Sequence, residues 1–81
     1  MQVQVYFFAS HRDAAGMDEM DLVAPDGSDV QQAAALLVER FPRLQPLLPS
    51  ARAAVNEEYC SRDQVLRDGD RLVFIPPVSG G

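Results

Sequence analysis

Residues 28–42 read Ser28-Asp29-Val30-Gln31-Gln32-Ala33-Ala34-Ala35-Leu36-Leu37-Val38-Glu39-Arg40-Phe41-Pro42. Val30, Ala33, Ala34, Leu37 and Phe41 fall at i, i+3, i+4, i+7 and i+11, which is one face of an α-helix. Gln31, Gln32, Glu39 and Arg40 fall where water can reach them. Ser28 followed three residues later by Gln31 has the form of a capping box, with Ser28 as N-cap and Gln31 at N3. Pro42 disfavours helical geometry at Phe41, so the element stops there after about 12 residues. The Pro25-Asp26-Gly27 turn delivers the chain to it.

On either side the period changes from 3.6 to 2. In residues 1–8, Val3, Val5 and Phe7 point one way and Gln2, Gln4, Tyr6 and Phe8 the other, a strand pattern. Residues 9–16 (ASHRDAAG) read as a connection ending in glycine. Residues 17–24 (MDEMDLVA) set Met20 and Leu22 against Glu19 and Asp21, a second strand. After the helix, residues 42–51 hold three prolines among Leu44, Leu47 and Leu48, an irregular segment over the core edge. Residues 51–56 read as a short strand, Glu57-Glu58 as a turn and Tyr59-Cys60 as a strand stub. Asp68-Gly69-Asp70 is a tight turn before the last strand, residues 71–75 (RLVFI). Pro76 and Pro77 end that strand, because proline cannot donate to a sheet ladder. The order is β-β-α-β-β-β. One helix covers one face of such a sheet, so the class is α+β with a helix packed across a mixed sheet of about five strands. The domain spans residues 1–77, with a tail at 78–81.

The composition closes several routes. The chain has 81 residues, 47% apolar and 23% charged, with a net charge of −5. That is one globular domain. A single histidine, His11, and a single cysteine, Cys60, cannot assemble a zinc site or an intrachain disulfide. There is no lysine, which removes Schiff-base chemistry and the P-loop lysine. The acidic balance repels phosphate backbones, so no nucleic-acid partner is expected. No apolar run approaches the roughly 20 residues that span a bilayer. The opening residues lack the basic head of a signal peptide, so a cytoplasmic location without membrane partners is expected.

The end of the chain, Pro76-Pro77-Val78-Ser79-Gly80-Gly81, carries the chemistry. The diproline favours an extended exit. Two glycines without Cβ atoms can enter a slot that excludes larger residues. The Gly81 carboxylate is ionised at neutral pH, and on this thin stalk it is a nucleophile suited to attack the α-phosphate of ATP in another protein's active site.

With Leu66-Arg67-Asp68-Gly69-Asp70 ahead of the last strand, this ending resembles that of the small subunits of molybdopterin synthase, the MoaD/ThiS ubiquitin-like sulfur carriers. Phe8, Ala9, Arg12, Asp13 and Gly16 resemble the family's Phe-Ala-x-Leu-Arg-Glu-x-x-Gly segment. Val55 and Asn56 resemble its Val-Asn turn. His11 stands where leucine is usual and Asp13 where glutamate is usual. The resemblance implies a ubiquitin-like β-grasp fold, in agreement with the element order. It also implies that a ubiquitin-activating-type enzyme adenylates Gly81 with ATP and that sulfur then replaces the adenylate as a thiocarboxylate. Pro76, Pro77, Val78, Ser79, Gly80 and Gly81 would insert into a large subunit, where sulfur passes to cyclic pyranopterin monophosphate. Two sulfurs per pterin imply a heterotetramer. The chain would be a non-catalytic subunit with no bound cofactor, ATP being used by the activating enzyme.

Alternation supplies a further expectation without the family. If Leu72 and Phe74 face the helix, then Tyr6, Phe8, Val73 and Ile75 face away and form an apolar patch at the root of the tail, a partner surface. Arg12 is a further candidate contact. His11 reads as a solvated loop residue. Cys60 reads as a partly buried small apolar residue rather than a persulfide carrier. Asp68-Gly69-Asp70 lacks the further ligands of a calcium loop. Two other function classes share the tail: a sulfur carrier for thiamin thiazole or tRNA thiolation, and a ubiquitin-like modifier joined to target lysines.

Overall fold

The computed structural model describes residues 1–77, and the predicted tail, Val78 to Gly81, lies outside them. Along the chain come β1 (Gln2–Phe7), α1 (Ala9–Ala15), β2 (Glu19–Val23), α2 (Val30–Arg40), two single-turn 3-10 helices (Pro42–Leu44 and Leu48–Ser50), β3 (Arg52–Val55), β4 (Glu58–Cys60) and β5 (Arg71–Ile75). The five strands form one mixed sheet in the order β2-β1-β5-β3-β4. Central β1 and β5 run parallel, and the other neighbours are antiparallel. With α2 laid across one face, this is the ubiquitin-like β-grasp.

Alternation along each strand divides the sheet into two faces. Val3, Val5 and Phe7 of β1, Leu22 of β2, Ala53 of β3, and Leu72 and Phe74 of β5 are buried on the inner face. Against them α2 places Val30, Ala33, Ala34 and Leu37. The predicted helical stripe is therefore the one that packs. Phe41, just beyond the helix, meets Phe7 edge to face with centroids 6.1 Å apart. Ala15 of α1 and the 3-10 residues Leu44 and Leu48 join the same cluster. Every helical element thus contributes buried apolar side chains to one core.

The structure corrects four local readings. Residues 9–16 are not a plain connection: Ala9–Ala15 form α1, closed by Gly16 in the left-handed conformation (φ 75°) that glycine adopts without a Cβ clash. The capping box lies one residue later than Ser28/Gln31. Asp29 is the N-cap, its carboxylate accepting from Gln32 N–H (2.8 Å) while the Gln32 side-chain oxygen accepts from Asp29 N–H (2.9 Å). Ser28 is drawn away because its hydroxyl donates to the Pro25 carbonyl, and the 61–66 loop bonds to the backbone around it (Leu66 N–H to Ser28 carbonyl, 2.8 Å). The turn after β3 is Asn56-Glu57, not Glu57-Glu58, with both residues at positive φ (51° and 72°), as a two-residue hairpin with right-handed strand twist requires. The segment 42–51 does lie over the core edge, but as two 3-10 turns. The second is held by the guanidinium of Arg62, which donates to the carbonyls of Leu48 and Ala51.

Candidate functional site

The outer face of the sheet has no helix of the described residues on it, because α1, α2 and the 3-10 turns are all committed to the inner core. Strand register places its side chains in rows. Tyr6 of β1 lies opposite Val73 of β5, Val73 opposite Ala54 of β3, and Ala54 opposite Tyr59 of β4. This row crosses four strands. Phe8 extends it at the end of β1, its extended backbone (φ −123°, ψ 150°) continuing the alternation, and its side chain is 53% exposed. Tyr6, Val73 and Ile75 are half-buried. The four expected patch residues therefore share one face, next to the point where β5 gives way to half-buried Pro76 and exposed Pro77.

Two contributors were not singled out from sequence. Tyr59 is 60% exposed and the Arg52 guanidinium lies 3.8 Å above its ring, a cation–π stack that presents a flat amphipathic surface. The signal was present in the period-2 reading of Tyr59-Cys60, with Cys60 turned inward and Tyr59 out, but two residues are a short run to carry it. The rim is electrically divided. The exposed acids Glu19 and Asp21 flank the patch on β2, whereas Arg52 and Arg71 border it on β3 and β5. Such a division gives a partner an orientation as well as an apolar contact.

Arg12 sits on α1, exposed, with Nε 3.8 Å from the Asp18 carboxylate. An exposed pair of this kind holds the side chain weakly, leaving its charge usable by a partner. His11 departs from the sequence reading. It is not solvated but fully buried, with Nδ1 3.1 Å from the Phe74 carbonyl. Burial pushes its imidazole below the usual range, opposed in part by that hydrogen bond. Cys60 is half-buried, as expected, and burial together with the nearby Asp63 carboxylate pushes its thiol up. A thiol so placed is a poor nucleophile at neutral pH.

The Val55-Asn56 segment, where β3 enters its turn, is structural. Asn56 Oδ1 accepts from Arg71 N–H and its Nδ2 donates to the Asp70 carboxylate, both at 3.0 Å. Asp70 also accepts from Arg67 N–H (2.8 Å), so the Asp68-Gly69-Asp70 turn and the β3–β4 hairpin are tied together where β5 begins. These contacts set the line of the strand that leads to the tail. Among the described residues no group of three or more His, Cys, Asp or Glu side chains is placed to hold a metal ion. No helix among them is long and apolar enough to cross a membrane.

Residues 5–81 match the ThiS family. The chain is 34% identical over 83 residues to the molybdopterin synthase sulfur carrier subunit of Chlamydomonas reinhardtii, covering all of both chains. Among solved structures it resembles a chain in the complex of subunits 1 and 2 of the molybdopterin-converting factor from Helicobacter pylori, with a TM-score of 0.72 and 26% identity over the whole of both chains. SAMP1 from Haloferax volcanii superposes with a TM-score of 0.89 over the whole of both chains, at 24% identity, a likeness of fold alone. A β-grasp whose uncovered sheet face adjoins the exit of its last strand, and whose sequence matches over nearly its full length, places this chain in the ThiS family.

Proposed function

We propose that this protein is the sulfur carrier subunit of a molybdopterin synthase. The observation that carries the reading is the junction of two features: an apolar outer sheet face through Tyr6, Phe8, Val73 and Ile75, and a strand that leaves that face through Pro76 and Pro77. The face docks the carrier and the exit aims its end into a partner's active site. The name of the Chlamydomonas relative supports the pathway.

In this reading an adenylating enzyme of the ubiquitin-activating type binds the face. One oxygen of the Gly81 carboxylate attacks the α-phosphate of ATP and pyrophosphate leaves. Hydrosulfide-level sulfur then attacks the acyl carbon and displaces AMP, leaving a thiocarboxylate. The loaded carrier docks on a large subunit, in a tetramer of two small and two large chains; its sulfur attacks the pterin precursor there, and water then cleaves the acyl–sulfur bond, leaving the sulfur on the pterin and a carboxylate on Gly81. The chain supplies docking, reach and the reactive sulfur, and the partners supply the catalytic groups. Gly80 and Gly81, which have no Cβ atoms, would enter a slot that excludes larger residues.

The test is reconstitution with thiocarboxylated protein, the large subunit and cyclic pyranopterin monophosphate. Dithiolene product in proportion to carrier, abolished by deleting Gly81, is the expected result. A loaded carrier that binds the large subunit and transfers no sulfur would overturn the pathway. Capture of Gly81 on target lysines instead would point to a modifier.

A further inference from the structure

The buried histidine has no part in the carrier chemistry, yet it occupies a decisive place. β1 leaves the sheet after Phe7, where the parallel pairing with Phe74 ends. The chain turns into α1 through Ala9, a non-glycine residue at φ 46°, and Phe8 at the N-cap makes no side-chain cap. The His11 ring lies two residues further on, with Nδ1 against the Phe74 carbonyl at 3.1 Å. A carbonyl only accepts, so Nδ1 carries the proton and Nε2 of the neutral ring holds a lone pair. That Nε2 is buried and has no hydrogen-bond partner among the described residues.

We propose that His11 is a proton-sensitive latch that fastens α1 to the strand from which the C-terminal segment departs. The neutral ring closes the latch through Nδ1–H. A second proton has to enter at Nε2, where it would create a buried cation whose new donor meets no acceptor among the described residues, so the closed form disfavours it. The proton is taken up only when α1 lifts and the ring reaches water.

The surrounding charges do not relieve this. On α1 itself Arg12 and Asp13 are exposed, and Arg12 turns to Asp18. The 3-10 turn packed on α1 carries Arg43, exposed. On β1 the ionisable side chain is Tyr6, on the opposite face, and on β5 it is exposed Arg71. Arg62 lies over the Phe74 ring at 5.4 Å, a charge of the same sign as an imidazolium. The ion pairs of the described residues do not include His11.

The sign follows from proton counting. The open form binds more protons than the closed one, so the latch is at full strength above about pH 6.5 and weakens as the pH falls below it. With an ordinary imidazole in the open form, the opening constant rises about tenfold between pH 7.5 and 5.5. Because Phe8 is the N-cap of α1, opening also displaces the exposed ring of the apolar face. That consequence rests on the docking reading; the latch does not.

The test is amide hydrogen exchange of the whole protein at both pH values, corrected for intrinsic rates. The reporters are Arg12 N–H and Gly16 N–H, bonded to the Phe8 and Arg12 carbonyls, with Phe41 N–H, which caps α2 on the Leu37 carbonyl, as reference. The expected result is a fall in protection of α1, relative to α2, approaching tenfold in the native protein and absent in His11→Leu. If His11→Leu fails to fold, His11→Gln keeps a donor for Phe74 without titrating and should also be flat. Unchanged protection in the native protein would overturn the latch. So would an equal fall in the variants, or a His11 ring that titrates near pH 6.5 while α1 stays protected.

Discussion

Replacing Asn56 by alanine separates the two jobs that this residue performs. The first is conformational: at φ 51° it sits in the left-handed region, which asparagine tolerates and alanine resists by about 1 kcal/mol. The second is the pair of 3.0 Å hydrogen bonds to Arg71 N–H and the Asp70 carboxylate. Both are exposed, so the freed groups recover water and each bond contributes at the low end, about 0.5 kcal/mol. Asn56→Ala should therefore cost about 2 kcal/mol, which lowers Tm by roughly 8–16 °C in a domain of this size. Asn56→Gly loses the same bonds without the Cβ clash and should cost about 1 kcal/mol. Within an ordinary strand alanine is the better of the two, so the reversed order is the diagnostic. Urea unfolding followed by far-UV circular dichroism measures both. Alanine equal to or better than glycine would refute the assignment of strain to this turn.

Three further outcomes follow from the same geometry. Asp29→Ala should destabilise by about 1 kcal/mol through loss of the N-cap, and Gln32→Ala by less, with Gln31→Ala near neutral; denaturant titration would place the box at Ser28/Gln31 if the last two were reversed. Phe8→Asp should weaken binding to the large subunit while leaving the unfolding midpoint nearly unchanged, since the ring is exposed; calorimetric titration with unchanged affinity would remove Phe8 from the docking face. Cys60→Ala should retain sulfur transfer, and the native thiol should react with iodoacetamide at pH 7 more slowly than a free cysteine peptide. Loss of transfer in a folded Cys60→Ala protein would make the thiol a participant.

Periodicity made most of this fold legible. Five apolar residues at helical spacing announced α2, and RLVFI before two prolines announced β5. The outer patch followed from alternation in β1 and β5 alone. α1 was hidden because its buried residues are His11 and Ala15, and one alanine beside a histidine is too little to show a helical period. For the same reason His11 read as solvated. The cap shifted because Ser28 and Asp29 are both competent N-caps, and the choice was made by the distant 61–66 loop, which local sequence does not express. Glu57 at φ 72° is a non-glycine left-handed residue imposed by hairpin closure, against its own preference. Tyr59 joined the patch only through its register with Ala54.

The most direct test of the carrier reading is the intact mass of the protein isolated from its own cells under demand for molybdenum cofactor, with fragmentation of the last residues. The reading predicts a fraction whose mass exceeds the unmodified chain by the exchange of one oxygen for sulfur, located on Gly81. An unmodified carboxylate throughout, under that same demand, would contradict it.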